Sequence, residues 1–181
     1  MVAAMEEVIN SRPSPRATMS CSTSFDRWTV DLNCRSTVHL AKLVVRDMVA
    51  AGSGRILITS SIASTMPGSF QAVYNASKSF VQSFALALRN ELKDTNVTIT
   101  SLMPGPTETE FFERADMLDT PVGEEEKDDP AEVARQGYEA LMAGREKVVG
   151  GSFKNKAQTV HSISTSLRTM TSSISSLFTH G

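Results

Sequence analysis

Hydrophobic and polar positions alternate between helical and strand spacing along most of the chain, in three helix–strand pairs. Trp28, Leu32, Leu40, Leu43, Val44 and Met48 recur at helical spacing and predict a long helix over 25–51. Ser24 or Asp26 can cap its start and Gly52 stops it. Ile56, Leu57 and Ile58 form a short apolar run, suited to a strand covered on both faces. Val81, Ala85, Leu88 and Leu92 then line one face of a second helix over 72–93, and Asp94–Asn96 makes the turn that follows. Val97 to Met103 is the next strand, closed by Pro104, Gly105 and Pro106. Asp129, Pro130 and Glu132 mark a third helix start, with a cap, a proline at the first position and an acid at the third. That helix ends at Gly144, and Val148 and Val149 centre a short strand over 147–150.

Helices alternating with strands through short connections imply parallel strands joined by right-handed crossovers. Outside this rhythm, Val2 to Ile9 can form a turn or two of helix, and Ser11 to Ser24 is a loop or disordered. Residues 107–128 are a long excursion at a strand C-terminus, where ligands bind in such sheets. A short amphipathic helix over Glu110–Leu118 fits there; Phe111 and Phe112 serve either as a substrate lid or as plain packing. In the tail, Val160, Ile163, Leu167, Met170, Ile174 and Leu177 repeat at 3–4 spacing among Ser and Thr residues. That pattern fits either a partner-dependent helix or a frayed end.

Composition narrows the function. With 181 residues, a net charge of −2 and a pI near 5.9, the chain reads as one domain with no electrostatic case for nucleic acid. Glu124–Glu126 and Asp128–Asp129 read as a solvated loop face rather than a metal site. Cys21 and Cys34 make neither a disulfide framework nor a zinc pattern, and read as free thiols of a reducing, cytoplasmic setting. His39, His161 and His180 are scattered, and no apolar run is long enough for a membrane span. Glu6 and Glu7 break the apolar run a signal peptide needs, and two Arg are few for a transit peptide.

The chemistry concentrates between Gly54 and Lys78. Tyr74 and Lys78 are four apart, so a helix stacks them on one face. A charge about 4 Å away at an effective dielectric near 20 is worth about 4 kcal/mol. That is enough to draw a phenol from about 10 toward neutrality, where acid–base catalysis is efficient. The pair alone is common as a half-buried Tyr beside a solvated Lys; the spacing around it carries the weight. Ser61 stands 13 residues before Tyr74 at a strand end, and Asn33 stands 28 before Ser61 inside a helix. Pro104 and Gly105 are followed by Thr107 and Thr109.

Together these residues resemble the short-chain dehydrogenase/reductase family, with its Asn–Ser–Tyr-x-x-x-Lys set and its Pro-Gly-x-x-x-Thr motif. The resemblance runs from about Phe25 to Phe153. It implies an NAD(P)-dependent oxidoreductase interconverting a carbonyl and an alcohol. By that likeness Tyr74 handles the hydroxyl proton and Ser61 holds the substrate oxygen. Lys78 tunes Tyr74 and holds the nicotinamide ribose, and Asn33 perturbs its helix and anchors a relay water. Pro104, Gly105, Thr107 and Thr109 line the nicotinamide of NAD or NADP. The family also pairs through the helices matching 25–51 and 72–93, which implies a homo-oligomer. Ile62, Met66, Phe70 and Phe111 suggest a small apolar carbonyl or alcohol substrate.

Two family motifs are absent. The sequence contains no Thr-Gly-x-x-x-Gly-x-Gly turn and no Asn-Asn-Ala-Gly, and its first 24 residues contain no glycine. The expected organisation is therefore an irregular or disordered segment over 1–24, an incomplete domain over 25–153 and a Ser/Thr-rich tail over 154–181. The expected fold is α/β, an incomplete Rossmann-like doubly wound fold with a parallel sheet of about three strands and flanking helices. The cofactor grip is expected to be weakened. The alternatives are a non-catalytic fragment that at most pairs with a complete relative, and a truncated or mis-annotated gene product.

Overall fold

A computed structural model describes residues 23–68, 71–110, 124 and 126–152. The expected N-terminal turns over 2–9, most of the 11–24 loop, all but the first residue of the 110–118 helix, with Phe111 and Phe112, Phe70, and the 156–181 tail lie outside these residues.

The first helical stretch comprises α1 (Thr23–Val30), a π-helical turn (Asp31–Arg35) and α2 (Ser36–Ala50). Three parallel strands follow: β1 (Gly54–Thr59), β2 (Val97–Pro104) and β3 (Lys147–Gly150), in spatial order β1-β2-β3. Helix α3 (Ala72–Glu91) crosses from β1 to β2, and α4 (Pro130–Met142) lies between β2 and β3. This is the incomplete α/β Rossmann-like arrangement expected from the alternation.

β2 is the centre of the sheet and reads as continuously buried because both faces are covered. Val97 and Ile99 join Ile58 of β1 and Val81, Ala85 and Leu92 in one apolar cluster, with Ile56, Phe84 and Leu88 packed against it. Burying each such side chain is worth about 1.5–3 kcal/mol. On the opposite face α4 packs closely: a Cβ at Gly137 would stand 2.9 Å from a Leu102 methyl and 3.4 Å from one of Leu57. Several polar groups inside are partnered, whereas Thr98 Oγ1 and Asn75 Oδ1 are buried without a hydrogen bond. Thr100 Oγ1 donates to the Arg145 carbonyl at 2.6 Å, and Ser101 Oγ to Gln82 Oε1 at 2.5 Å. The Arg89 guanidinium clamps the carbonyls of Ile99 and Gly144 at 2.7 and 2.9 Å, tying α3 to β2 and to the end of α4.

Element boundaries follow local chemistry. Asp129 Oδ1 accepts from the Ala131 amide at 3.1 Å and caps α4, with Pro130 at its first position. Gly52 (φ 74°) and Gly144 (φ 63°) end α2 and α4 in the left-handed region that glycine enters freely.

The first helical stretch leaves large apolar side chains uncovered. Leu40 and Leu43 are more than half exposed and Trp28 is 70% exposed. Ala41 is buried instead, and Val45 and Met48 meet the core. Most of the large apolar residues at helical spacing therefore form an outward stripe, while Ala41, Val45 and Met48 face the sheet. The helix is also not uniform, because a π turn interrupts it at Asn33.

Candidate active site

β1 delivers its C-terminus into the Ser60–Ser61 pair. Ser60 continues the ladder, its amide donating to the Leu102 carbonyl at 2.7 Å. Ser61 then leaves the sheet and caps a 3-10 turn (Ile62–Thr65), its Oγ accepting from the Ala63 amide at 3.1 Å. The Ser61 hydroxyl also hydrogen-bonds Tyr74.

Three side-chain bonds lock this serine turn to the first turns of α3. Ser60 Oγ donates to the Lys78 carbonyl at 3.0 Å, Ser79 Oγ to the Ser64 carbonyl at 2.8 Å, and Asn75 Nδ2 to the Met66 carbonyl at 2.9 Å. Gly68 allows the last contact: a Cβ there would lie 2.5 Å from Asn75 Nδ2. The loop bearing Ser61 and the helix bearing Tyr74 and Lys78 thus form one braced unit. The partners of these three bracing side chains did not stand out in the sequence, since which carbonyl each meets depends on the loop's path.

Lys78 Nζ lies 5.8 Å from the centre of the Tyr74 ring, a cation–π distance, and donates to the Thr59 carbonyl at 3.4 Å. The ammonium does not act on Tyr74 as the spacing argument expected. Burial pushes the Tyr74 phenol above its usual value, and only the Ser61 hydrogen bond pulls it back. Burial likewise pushes the Lys78 ammonium down, with Cys34 partly opposing. The cause is desolvation, which disfavours both charged forms.

Asn33 sits in the π turn, and such turns are frequent at functional sites. Its Nδ2 donates to Ser77 Oγ at 2.9 Å, and Ser77 Oγ in turn donates to the Tyr74 carbonyl at 2.7 Å. Asn33 is therefore fastened to α3 at the residue before Lys78. Cys34, read from the sequence only as a free thiol, donates to the Ser77 carbonyl at 3.9 Å and lies within electrostatic reach of Lys78. Burial raises its thiol pKa, and Lys78 draws it partly back.

Pro104 is the last residue of β2 and pairs with Gly150 of β3. The Gly105 amide donates to the Gly150 carbonyl at 3.4 Å, and Thr107 Oγ1 to the Gly105 carbonyl at 2.9 Å. Thr109 is exposed. Ser61 and this segment thus share the C-terminal edge of the parallel sheet, the edge at which open α/β sheets bind ligands.

A family model for short chain dehydrogenases matches residues 6–117. The chain belongs to that family. The match begins well before Phe25, where the motif-based resemblance begins. The chain is 36% identical over 83 residues to sulfoacetaldehyde reductase 2 of Chromohalobacter salexigens, covering 45% of this chain and 33% of that protein. It is 38% identical over 82 residues to dehydrogenase/reductase SDR family member 4 of Bos taurus, covering 45% of this chain and 29% of that one. Among solved structures, a short-chain dehydrogenase from Sphingobium yanoikuyae in complex with NADPH superposes with a TM-score of 0.65. Its identity is 22%, over 71% of this chain and 49% of that one. The matched stretch thus spans about a third of these two curated relatives and half of the solved chain.

No grouping of His, Cys, Asp and Glu among the described residues has the makings of a metal site, and no described helix is long and apolar enough to cross a membrane. A surface groove of about 810 Å³ lies elsewhere, between the outer face of the first helical stretch and Phe80.

Proposed function

We propose that this chain carries the proton-handling side of an NAD(P)-dependent oxidoreductase that interconverts a carbonyl and an alcohol. The observation that carries this reading is the Ser61 hydroxyl bonded to Tyr74 beneath the Lys78 ammonium, at the ligand-binding edge of a parallel sheet. A substrate oxygen between the two hydroxyls receives a hydrogen bond from Ser61 and exchanges a proton with Tyr74. A phenol held neutral by burial starts as the acid, which suits carbonyl reduction. Asn33 is assigned to the relay through its tie to Ser77.

The nicotinamide end of the cofactor fits the residues present. The Lys78 ammonium has three donors and spends one on Thr59, leaving two for ribose hydroxyls. Tyr74, Pro104, Gly105, Thr107 and Thr109 complete the assigned contacts. Bound there, a nicotinamide supplies or accepts the hydride. Ile62 and Met66 favour a small apolar substrate. The pyrophosphate end has no glycine-rich turn in this sequence to receive it. Weakened binding is therefore part of the proposal, with Kd for NADH and NADPH above about 1 mM.

The test is reduction of small aldehydes and ketones by the full chain at saturating NADPH or NADH, with Tyr74→Phe and Ser61→Ala beside it. Tyr74→Phe is expected to lower kcat by about 10²–10⁴. Undiminished turnover in that variant would overturn the assignment. A second reading, a non-catalytic fragment that pairs with a complete relative, is favoured by the missing glycine-rich motif. No turnover together with no change in nicotinamide fluorescence up to saturating cofactor would select it. We assign the outward faces of 25–51 and 72–93 to pairing, with a second copy on the first reading and with a complete relative on the second. They carry the exposed stripe of the first helical stretch and the half-exposed Phe80.

A further inference from the structure

Both ends of the long excursion after β2 meet at one residue. The Asp128 amide donates to the Pro106 carbonyl at 2.9 Å, and its carbonyl accepts from the Glu108 amide at 3.0 Å. The two segments thereby form a one-residue parallel bridge, Thr107 against Asp128. The Asp128 carboxylate reaches a third segment: Oδ1 accepts from the Ser152 amide at 3.0 Å, just past the end of β3. Neighbours reinforce the junction. Lys127 Nζ lies 3.9 Å from a Glu108 carboxylate oxygen, Asp129 caps α4, and Gln136 Oε1 accepts from the Gly151 amide at 3.0 Å. The peptide group of Asp128 thus grips the segment after β2, and its side chain fixes that grip to the neighbouring strand.

We propose that Asp128 is the positioning residue that holds Pro104–Glu108 in place at the sheet edge. It does so by anchoring that segment to the exit of β3. The consequence for binding rests on the oxidoreductase reading, since it is this segment that would line the nicotinamide. Asp128 acts through Gly105 and Thr107 and touches no reacting atom. A hydrogen bond to a charged acceptor is stronger than a neutral one. Removing the carboxylate leaves the peptide-group hydrogen bonds to Pro106 and Glu108 available but removes their tie to Ser152, leaving the longer Gly105–Gly150 bond, at 3.4 Å, to hold the segment to β3. Asparagine at this position keeps an oxygen acceptor for Ser152, whereas alanine does not.

Amide hydrogen exchange on the full chain, without cofactor, separates this inference from the functional reading. Asp128→Ala is expected to speed exchange across residues 105–108 by about tenfold, while the interior of β2 around Ile99 keeps its protection. Asp128→Asn is expected to restore most of that protection. In a parallel NADPH titration, the alanine variant should raise the apparent Kd or KM severalfold, with little change in kcat. Unchanged exchange at 105–108 in Asp128→Ala overturns the proposal. So does uniform loss of protection throughout the sheet in both variants, which would make Asp128 a general stability residue. If the wild-type chain binds no cofactor yet exchange responds as stated, the functional reading fails and the positioning role stands.

Discussion

Tyr74 and Lys78 are pushed in opposite directions by the same cause, loss of water, and both shifts favour the uncharged form. The stability consequence of Lys78 follows by linkage. Its folded pKa lies below the unfolded value of 10.5, so folding expels a proton between the two. The penalty for burying the ammonium is full below the folded pKa and is lifted as pH rises through it toward 10.5. Lys78→Met should therefore melt higher than the wild-type chain at pH 7, with the gap closing by pH 10.5; thermal denaturation across that range checks it. A lower melting temperature at pH 7 would show that the contacts to Thr59 and the Tyr74 ring outweigh burial. Which residues gather at this site was legible because their spacing is tied to the strand–turn–helix geometry. How they interact was not. The Coulomb argument from Lys78 omitted desolvation, which depends on what packs around Tyr74.

At the scale of elements, the unit that matters is the serine turn braced against α3. It depends on Gly68 for space rather than for backbone conformation, because Asn75 fills the volume a side chain would need. Gly68→Ala is expected to displace Asn75, break its bond to Met66, and cost about 1–3 kcal/mol, as overpacking does. Urea denaturation reads the cost, and a normal midpoint would show that the loop moves aside freely. The central strand sets the opposite limit. Ile99 is 1% exposed, and Ile99→Ala should cost about 2–5 kcal/mol in the same measurement. Strands and helix starts were legible because apolar runs and the Asp129–Pro130–Glu132 signal are local. The π turn was legible only through the family likeness, by which Asn33 perturbs its helix; nothing local in Asp31–Arg35 demands it, and Asn33 and Cys34 reaching Ser77 accompany it.

At the scale of the whole molecule, two surfaces lack cover among the described residues. One is the outer edge of β1, whose described neighbour is β2 alone. The other is the apolar stripe of the first helical stretch, where Trp28, Leu32, Leu40 and Leu43 are each more than half exposed. Scattered exposed apolar residues are ordinary, but a contiguous row on one helix favours association. An open strand edge favours it too. The groove beside Phe80 adds an apolar floor of Val38 and Leu43, with Lys42 and Arg46 also lining it. The chain is therefore expected to elute from size exclusion as a dimer or larger, with light scattering giving the mass. Leu40→Glu with Leu43→Glu should return it to monomer if the helix stripe carries the contact, because a buried carboxylate without a partner is costly. Continued association of that double variant would move the contact to the β1 edge. A cooperative wild-type monomer at micromolar concentration would remove both surfaces as pairing sites, and with them the assigned pairing of helices 25–51 and 72–93.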